Sequence, residues 1–353
     1  MTPAKSPAPR KRRRTGRPDV DAAIEALVAL RADHPDVEFA QQMVVTAMKY
    51  LDSGASRGDI RLAATALREM RYATKIFSPF AHVRKATMFG SARIGPEDPS
   101  YRMAVEFSRR IADAGWMIIT GAGPGIMQAG NEGAGRTRSF GVNIRLPFEQ
   151  SANPAVLGSP NLITFKYFFA RKLFFLKQSH AIVLFPGGFG TLDEGAEALT
   201  LIQTGKTSPV PVVMLDPPGV DYWRNVHRFF EKDLLGRGLV SPGDLDLYLV
   251  TDSVERAVEE VLGFYRNYHS SRHLHDAFLV RMHRAPSPDQ LAALDRDFRD
   301  LLMGGRGGFE VVAGRARGEE PPDPSSPPWR LVFPFDRRSQ GKLRALINRV
   351  NSW

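Results

Sequence analysis

The chain has 353 residues, no cysteine and a formal net charge of +10 at pH 7. That length buries a full α/β core with additions at both ends, and the missing cysteines exclude disulfides and thiolate chemistry. No segment reaches the apolar length of a membrane-spanning helix, and Met1 to Pro18 is basic without an apolar stretch. Neither a secretory nor a twin-arginine signal is therefore expected, and the expected location is cytoplasmic.

The charge is local. Lys5, Arg10, Lys11, Arg12, Arg13, Arg14 and Arg17 supply +7 with no acid before Asp19, so the rest of the chain carries only +3. Pro3, Pro7, Pro9 and Pro18 mark residues 1–18 as a disordered, solubilising tail that touches nucleic acid weakly, if at all. Residues 19–81 read as a helical module. One apolar stripe runs through Ile24, Leu27 and Leu30, a second through Val45, Met48 and Leu51, and a third through Ile60, Leu67 and Met70. Ser53-Gly-Ala-Ser56 supplies a break and a cap for the third helix.

Strand and helix then alternate over residues 82–268. Strands are predicted at 86–89, 116–120, 140–144, 181–185, 210–215 and 248–250. Helices are predicted at 99–114, after Gly125, and at 165–178, 190–203, 222–235 and 254–268. Repeated βα units of this length imply an α/β fold, a doubly wound parallel Rossmann-like sheet. Residues 269–353 read as a small α+β appendage in the order β-α-β-β-α, with structural packing as its default role.

Three glycine turns fall at predicted strand ends, where a doubly wound sheet binds ligands. They are Gly90-Ser91, Gly121 to Gly125 with Gly123 between, and Gly187-Gly188-Phe189-Gly190-Thr191. Position 126 is Ile, so the middle turn is no dinucleotide fingerprint, and no Walker A motif occurs. Glycines and a helix N-terminus together suit a phosphate. Glu194, placed in the first helical turn, is expected to have a lowered pKa and to act ionised, orienting water or stabilising a developing cation. Asp193 is assigned to capping, and Glu197 is left open between sharing the site and facing solvent. Arg171 and Lys172 interrupt an aromatic helix. A guanidinium there needs an anion, so Arg171 is expected to reach a phosphate or Glu194. His180 opens its strand at the edge away from the ligand. His269, His273 and His275 sit in a polar connector with no expected metal.

Pro186-Gly-Gly-Phe-Gly-Thr-Leu-Asp-Glu194 matches the PGGxGTxxE signature of the LOG (Lonely Guy) family, once mislabelled lysine decarboxylase. Phe169-Ala-Arg-Lys172 sits where that family has its second motif. The arginine and lysine are kept, while the flanking Met-His-Glu of the short plant-type members is not. Phe89-Gly-Ser91 and Thr120-Gly-Ala-Gly-Pro-Gly125 also fit, so the resemblance spans residues 82–268 and leaves both ends unexplained. It implies hydrolysis of nucleoside 5′-monophosphates, AMP or cytokinin riboside monophosphates, to free base and ribose 5-phosphate without a cofactor. Arg171 and Glu194 are then the catalytic pair and the glycine turns hold the phosphate. The family also implies a homodimer with the site near its interface, where Thr204-Gly-Lys206 is a candidate. The long form leaves room for a broader purine or pyrimidine nucleosidase regulated by its appendages. A non-catalytic nucleotide, cofactor or single-stranded DNA binder of the same fold is the other alternative. A decarboxylase would need a Schiff-base lysine, for which Lys172 beside Arg171 is a poor choice.

Overall fold

Pro18 occupies the start of helix α1 (Pro18–Ala29), where a missing N–H costs nothing and the fixed φ suits the first turn. The computed structural model describes residues 14–146, 151–321 and 326–353, and most of the expected tail, residues 1–13, lies outside them. The tail's last residues are corrected: Asp21 Oδ1 accepts from both the N–H and the hydroxyl of Thr15 at 2.8 Å, so residues 15–18 lead into the helix in ordered contact. Helix α2 (Val37–Asp52) packs on α1, and Ile24 and Val45 are buried. Helix α3 (Arg57–Phe77) starts behind Ser56, whose hydroxyl accepts from the Asp59 N–H while the Asp59 carboxylate accepts from the Ser56 N–H. The chain divides into two compact units, Met1–Arg71 and Tyr72–Trp353.

The second unit is built on seven strands, each short, apolar and parallel to its neighbours. They are β1 (Lys85–Phe89), β2 (Met117–Thr120), β3 (Ser139–Ile144), β4 (Leu162–Phe165), β5 (Ala181–Leu184), β6 (Val212–Leu215) and β7 (Tyr248–Thr251). Their order is β4-β3-β2-β1-β5-β6-β7. The strands β1, β2, β5 and β6 are buried throughout, as continuous apolar runs between two helical layers must be. One layer holds α4 (Pro99–Asp113), α5 (Ile126–Ala134) and α9 (Val254–Gly263). The other holds α6 (Phe168–Gln178), α7 (Phe189–Gln203) and α8 (Tyr222–Phe229), with the end of α3. The chain runs outward from β1 in one direction through β2 and in the other through β5. The crevice beyond their carboxyl ends is the topological switch point.

Two strands escaped the sequence pattern. Strand β4 is a four-residue edge strand that takes up residue 165, so α6 begins at Phe168 rather than 165. The helix expected to reach Tyr268 ends at Gly263, and Tyr268–His273 is strand β8. Its sequence is polar, and a register irregularity between Tyr268 and Ser270 breaks the alternation so that Tyr268 and Ser271 are both buried. The appendage is therefore β8, β9 (Phe278–Met282), α10 (Pro288–Asp297), β10 (Glu310–Ala313), β11 (Trp329–Phe333) and α11 (Gln340–Asn351). Its antiparallel sheet has the order β10-β11-β9-β8, and the expected boundary after residue 268 falls inside β8. His269 and His273 thus stand on a strand rather than in a connector. Glu319, fully buried, bridges Arg281 at 2.7 Å and Arg330 at 3.2 Å and pins the chain that follows β10 to this sheet.

Candidate active site

The three glycine turns meet at the switch point, but the glycines divide into two kinds. Gly125 has φ +69°, and a Cβ there would lie 2.3 Å from the Ser91 carbonyl oxygen. A Cβ on Gly187 would fall 2.2 Å from Thr191 Oγ1 and 3.0 Å from Ser91 N. These two lock one turn against another, and neither lines the cleft that the turns enclose. Hydrogen bonds complete the lock: the Ser91 N–H donates to the Pro186 carbonyl at 3.0 Å, and the Ile126 N–H donates to the Ser91 carbonyl at 3.1 Å. Gly188 and Gly190, by contrast, face open space at the start of α7.

The turns enclose a cleft of about 700 Å³. Gly90, Ser91, Gly121, Gly123, Gly188, Gly190, Thr191, Arg171 and Glu194, all singled out in the sequence, line it, and so does Asp193. Arg93, Met127, Asn143, Phe168 and Phe189 line it as well and were not singled out. Of these, Asn143 carried a signal, a polar side chain closing an apolar strand at its carboxyl end. Phe189 is 92% exposed, an aromatic ring held out at the rim.

Arg171 stands in the first turns of α6 with its guanidinium carbon 4.8 Å from the Phe168 ring centroid and 5.5 Å from that of Phe175. Its Nε is buried without a hydrogen-bond partner among the described residues. Burial lowers its pKa, opposed by the negative charges of Glu194 and Asp193. Of the two anions expected for Arg171, a phosphate or Glu194, the second is ion-paired with Lys172 instead. Lys172 Nζ lies 2.7 Å from Asp193, 3.3 Å from Glu194 and 3.0 Å from Glu197, which places Glu197 in the site's charge network. Burial opposes the Lys172 charge, but the three carboxylates outweigh it and raise the pKa, so the amine is held protonated. A protonated amine is no Schiff-base nucleophile.

Glu194 is 5% exposed, and its Oε2 sits beside Lys172 without an aligned hydrogen bond. Its pKa is raised, chiefly by burial, with Lys172 and Arg171 pulling the other way. This corrects the expected lowering. Helix α7 begins at Phe189, so Glu194 lies in its second turn, beyond the reach of the helix N-terminal charge, and desolvation wins. Asp193 is no cap either: Gly188 holds that position, without a side-chain cap, and the Asp193 carboxylate is given to Lys172.

Other candidates fall outside the cleft. His180 lies at the opposite strand end, its Nδ1 accepting from the Lys85 N–H at 3.2 Å. No group of three His, Cys, Asp or Glu residues placed to hold a metal occurs among the described residues. At Thr204 to Lys206, a Cβ on Gly205 would lie 2.6 Å from Gln340 Nε2, so this turn packs on the start of α11.

A model of the family described as "Possible lysine decarboxylase" matches residues 125–261. The chain is 30% identical over 166 residues to a cytokinin riboside 5′-monophosphate phosphoribohydrolase from Mycobacterium tuberculosis, a match covering 44% of this chain and 82% of that protein. The chain belongs to the LOG family. Among solved structures, the Moco carrier protein from Chlamydomonas reinhardtii is 25% identical with a TM-score of 0.36, covering 51% of this chain and 98% of that one. The molybdenum cofactor binding protein from Rippkaea orientalis is 22% identical with a TM-score of 0.33, over 50% and 93%. DNA processing protein A from Helicobacter pylori is 16% identical with a TM-score of 0.35, over 51% and 80%. The LOG family match includes Arg171, Lys172 and Glu194 and ends at Val261, before the antiparallel sheet of the appendage. No helix among the described residues is long and apolar enough to cross a membrane.

Proposed function

We propose that this LOG family protein hydrolyses the N-glycosidic bond of nucleoside 5′-monophosphates, releasing free base and ribose 5-phosphate. The observation that carries this reading is Glu194. A buried carboxylate with a raised pKa is a stronger base than an exposed one, and here it faces a cleft that also offers a guanidinium. The N-terminus of α7, open at Gly188 and Gly190 and flanked by Thr191, suits the 5′-phosphate. Arg171 brings an unsatisfied N–H donor and a full charge for the same anion or the ribose. Phe168 and Phe189 give the base aromatic surface.

In the step proposed, the bond from C1′ to the base nitrogen breaks and the electron pair leaves with the base. Ionised Glu194 stabilises the positive charge that grows on the sugar and takes a proton from the water whose oxygen bonds to C1′. The departing base acquires a proton in turn. AMP and cytokinin riboside 5′-monophosphates are the proposed substrates, supported by the name of the Mycobacterium tuberculosis relative. The exposed Phe168, Phe169, Leu173, Phe189 and Leu192 around the cleft support a homodimer that covers this rim.

Purified protein is expected to convert AMP to adenine and ribose 5-phosphate, followed by chromatography of the base. Glu194→Ala and Arg171→Ala should each lower kcat/KM by about a hundredfold or more. Wild-type protein that binds AMP yet releases no base overturns the reading in favour of a nucleotide binder, and a panel of purine and pyrimidine monophosphates fixes the base.

A further inference from the structure

Gly187 and Gly188 are joined by the kind of peptide unit that turns over most readily, because neither residue carries a Cβ to resist the change in φ and ψ. The two sides of this unit mean opposite things to an anion. It is trans, so the Gly187 carbonyl and the Gly188 N–H point in opposite directions, and turning it over exchanges a donor for an acceptor. The Gly188 N–H has no hydrogen-bond partner among the described residues. Gly188 lines the cleft at the start of α7, whereas Gly187 does not. The orientation of this one peptide plane therefore decides whether the cleft meets an N–H or a carbonyl oxygen there.

The carbonyl is held from another element. The Tyr222 hydroxyl, on the first residue of α8, donates to the Gly187 carbonyl at 2.7 Å. The tyrosine is itself seated: the buried Asp216 carboxylate behind β6 accepts from the Trp223 N–H at 2.8 Å, and the buried Trp223 ring stands edge-on to that of Tyr222 with centroids 4.9 Å apart. Burial, helped by the Asp216 charge, raises the Tyr222 pKa, so the hydroxyl keeps the proton it donates. The Ser91 bond to the Pro186 carbonyl and the contact of Gly187 with Thr191 fix the neighbouring atoms and leave the Gly187 carbonyl to Tyr222. We propose that Tyr222 is a positioning residue for the substrate's phosphate: by holding the Gly187 carbonyl, it keeps the Gly188 N–H turned into the cleft. Without the hydroxyl the carbonyl loses its partner, and the turned-over unit sets an oxygen against the phosphate, a repulsion in place of an attraction. The inference rests on the reading of the α7 N-terminus as the phosphate site and adds to it a residue outside the stretch from Pro186 to Glu194.

The test compares a ligand that carries the phosphate with one that lacks it. Dissociation constants of AMP and of adenosine are measured by calorimetry for the full-length wild type and for Tyr222→Phe, which removes the hydroxyl and keeps the ring against Trp223. The preference for AMP over adenosine is expected to fall about tenfold in Tyr222→Phe, with adenosine bound as before. In turnover of AMP, KM should rise by a similar factor while kcat changes by less than about threefold. An unchanged preference overturns the proposal. So does an equal loss of affinity for both ligands, accompanied by a lower urea midpoint, which is what a merely structural hydroxyl would give. Wild-type protein with no preference for AMP removes the phosphate site and this role of Tyr222 together. Wild-type protein that prefers AMP but releases no base removes only the hydrolase reading, because the binding comparison still decides the role of Tyr222.

Discussion

Lys172 serves three carboxylates with one ammonium, and this arrangement sets the character of Glu194. Burial pushes the Glu194 carboxyl up while the Lys172 and Arg171 charges pull it down. Lys172→Met removes the nearer cation, so the Glu194 pKa should climb further. The acid limb of kcat/KM against pH is then expected to move up by about one unit or more. Lys172→Arg should restore most of the original profile, and an acid limb that does not move in Lys172→Met would show that the ammonium does not tune Glu194. Arg171 and Glu194, the two residues proposed for catalysis, stood out in the sequence because a guanidinium in an aromatic helix and a carboxylate behind a glycine turn are both expensive without a use, and both line the cleft. The sign of the Glu194 shift was not legible. It depends on how much neighbouring chain excludes water from one carboxylate, which follows only from the packing around it.

At the scale of elements, the turns after β1, β2 and β5 act as one device. Gly125 and Gly187 allow the backbones to interlock, and Gly188 and Gly190 leave room in front of α7. Alanine substitution should separate the two jobs. Gly125→Ala forces a side chain onto φ +69° and into the Ser91 carbonyl, and a loss of roughly 2–4 kcal/mol in urea denaturation is expected. Gly188→Ala, with φ −87° and open space ahead, should leave stability within about 0.5 kcal/mol while raising KM for the nucleotide. Equal loss of stability in both variants would mean that the turns have a purely structural role. The sequence showed these turns as three similar glycine clusters. Only their packing against Ser91 and Thr191 separates the clamps from the cradle. Strands β4 and β8 were missed for a related reason. An edge strand and a polar strand take their β conformation from the neighbour they pair with, not from a strong pattern of their own.

At the scale of the whole second unit, the parallel sheet and the antiparallel sheet meet around a cluster of basic and aromatic groups. Arg84 lies over the Tyr265 ring at 3.6 Å, the Tyr265 hydroxyl donates to the His180 carbonyl at 2.7 Å, and the His269 ring stands 5.7 Å from that of His283. Burial first, then the charges of Lys85 and Arg84, lower the His180 pKa to about 4. Burial and the charge of Arg84 likewise lower that of His269 to about 4. Both rings are therefore buried neutral. Their unfolded pKa is near 6.5, so between that value and about 4 the unfolded chain binds more protons and stability rises with pH. The contribution is whole above pH 6.5 and is lost as pH falls toward 4. The urea midpoint is expected to drop steeply over that window, with a shallower fall in His180→Gln. A flat midpoint from pH 7 to 4.5 would contradict the assignment.

The order of apolar strands and amphipathic helices determined the doubly wound sheet, because burial on two faces and the right-handed crossover leave a βα repeat little choice. The glycine turns and the motif from Pro186 to Glu194 likewise marked the cleft at the switch point and, with Arg171, side chains that line it. What the sequence could not decide were the quantities that depend on distant neighbours. These are the raised pKa of Glu194, its partner Lys172, the clamping of Gly125 and Gly187, and the strand β8 at the edge of the antiparallel sheet. Each follows from which surfaces exclude water together, and that is settled only when the chain has closed.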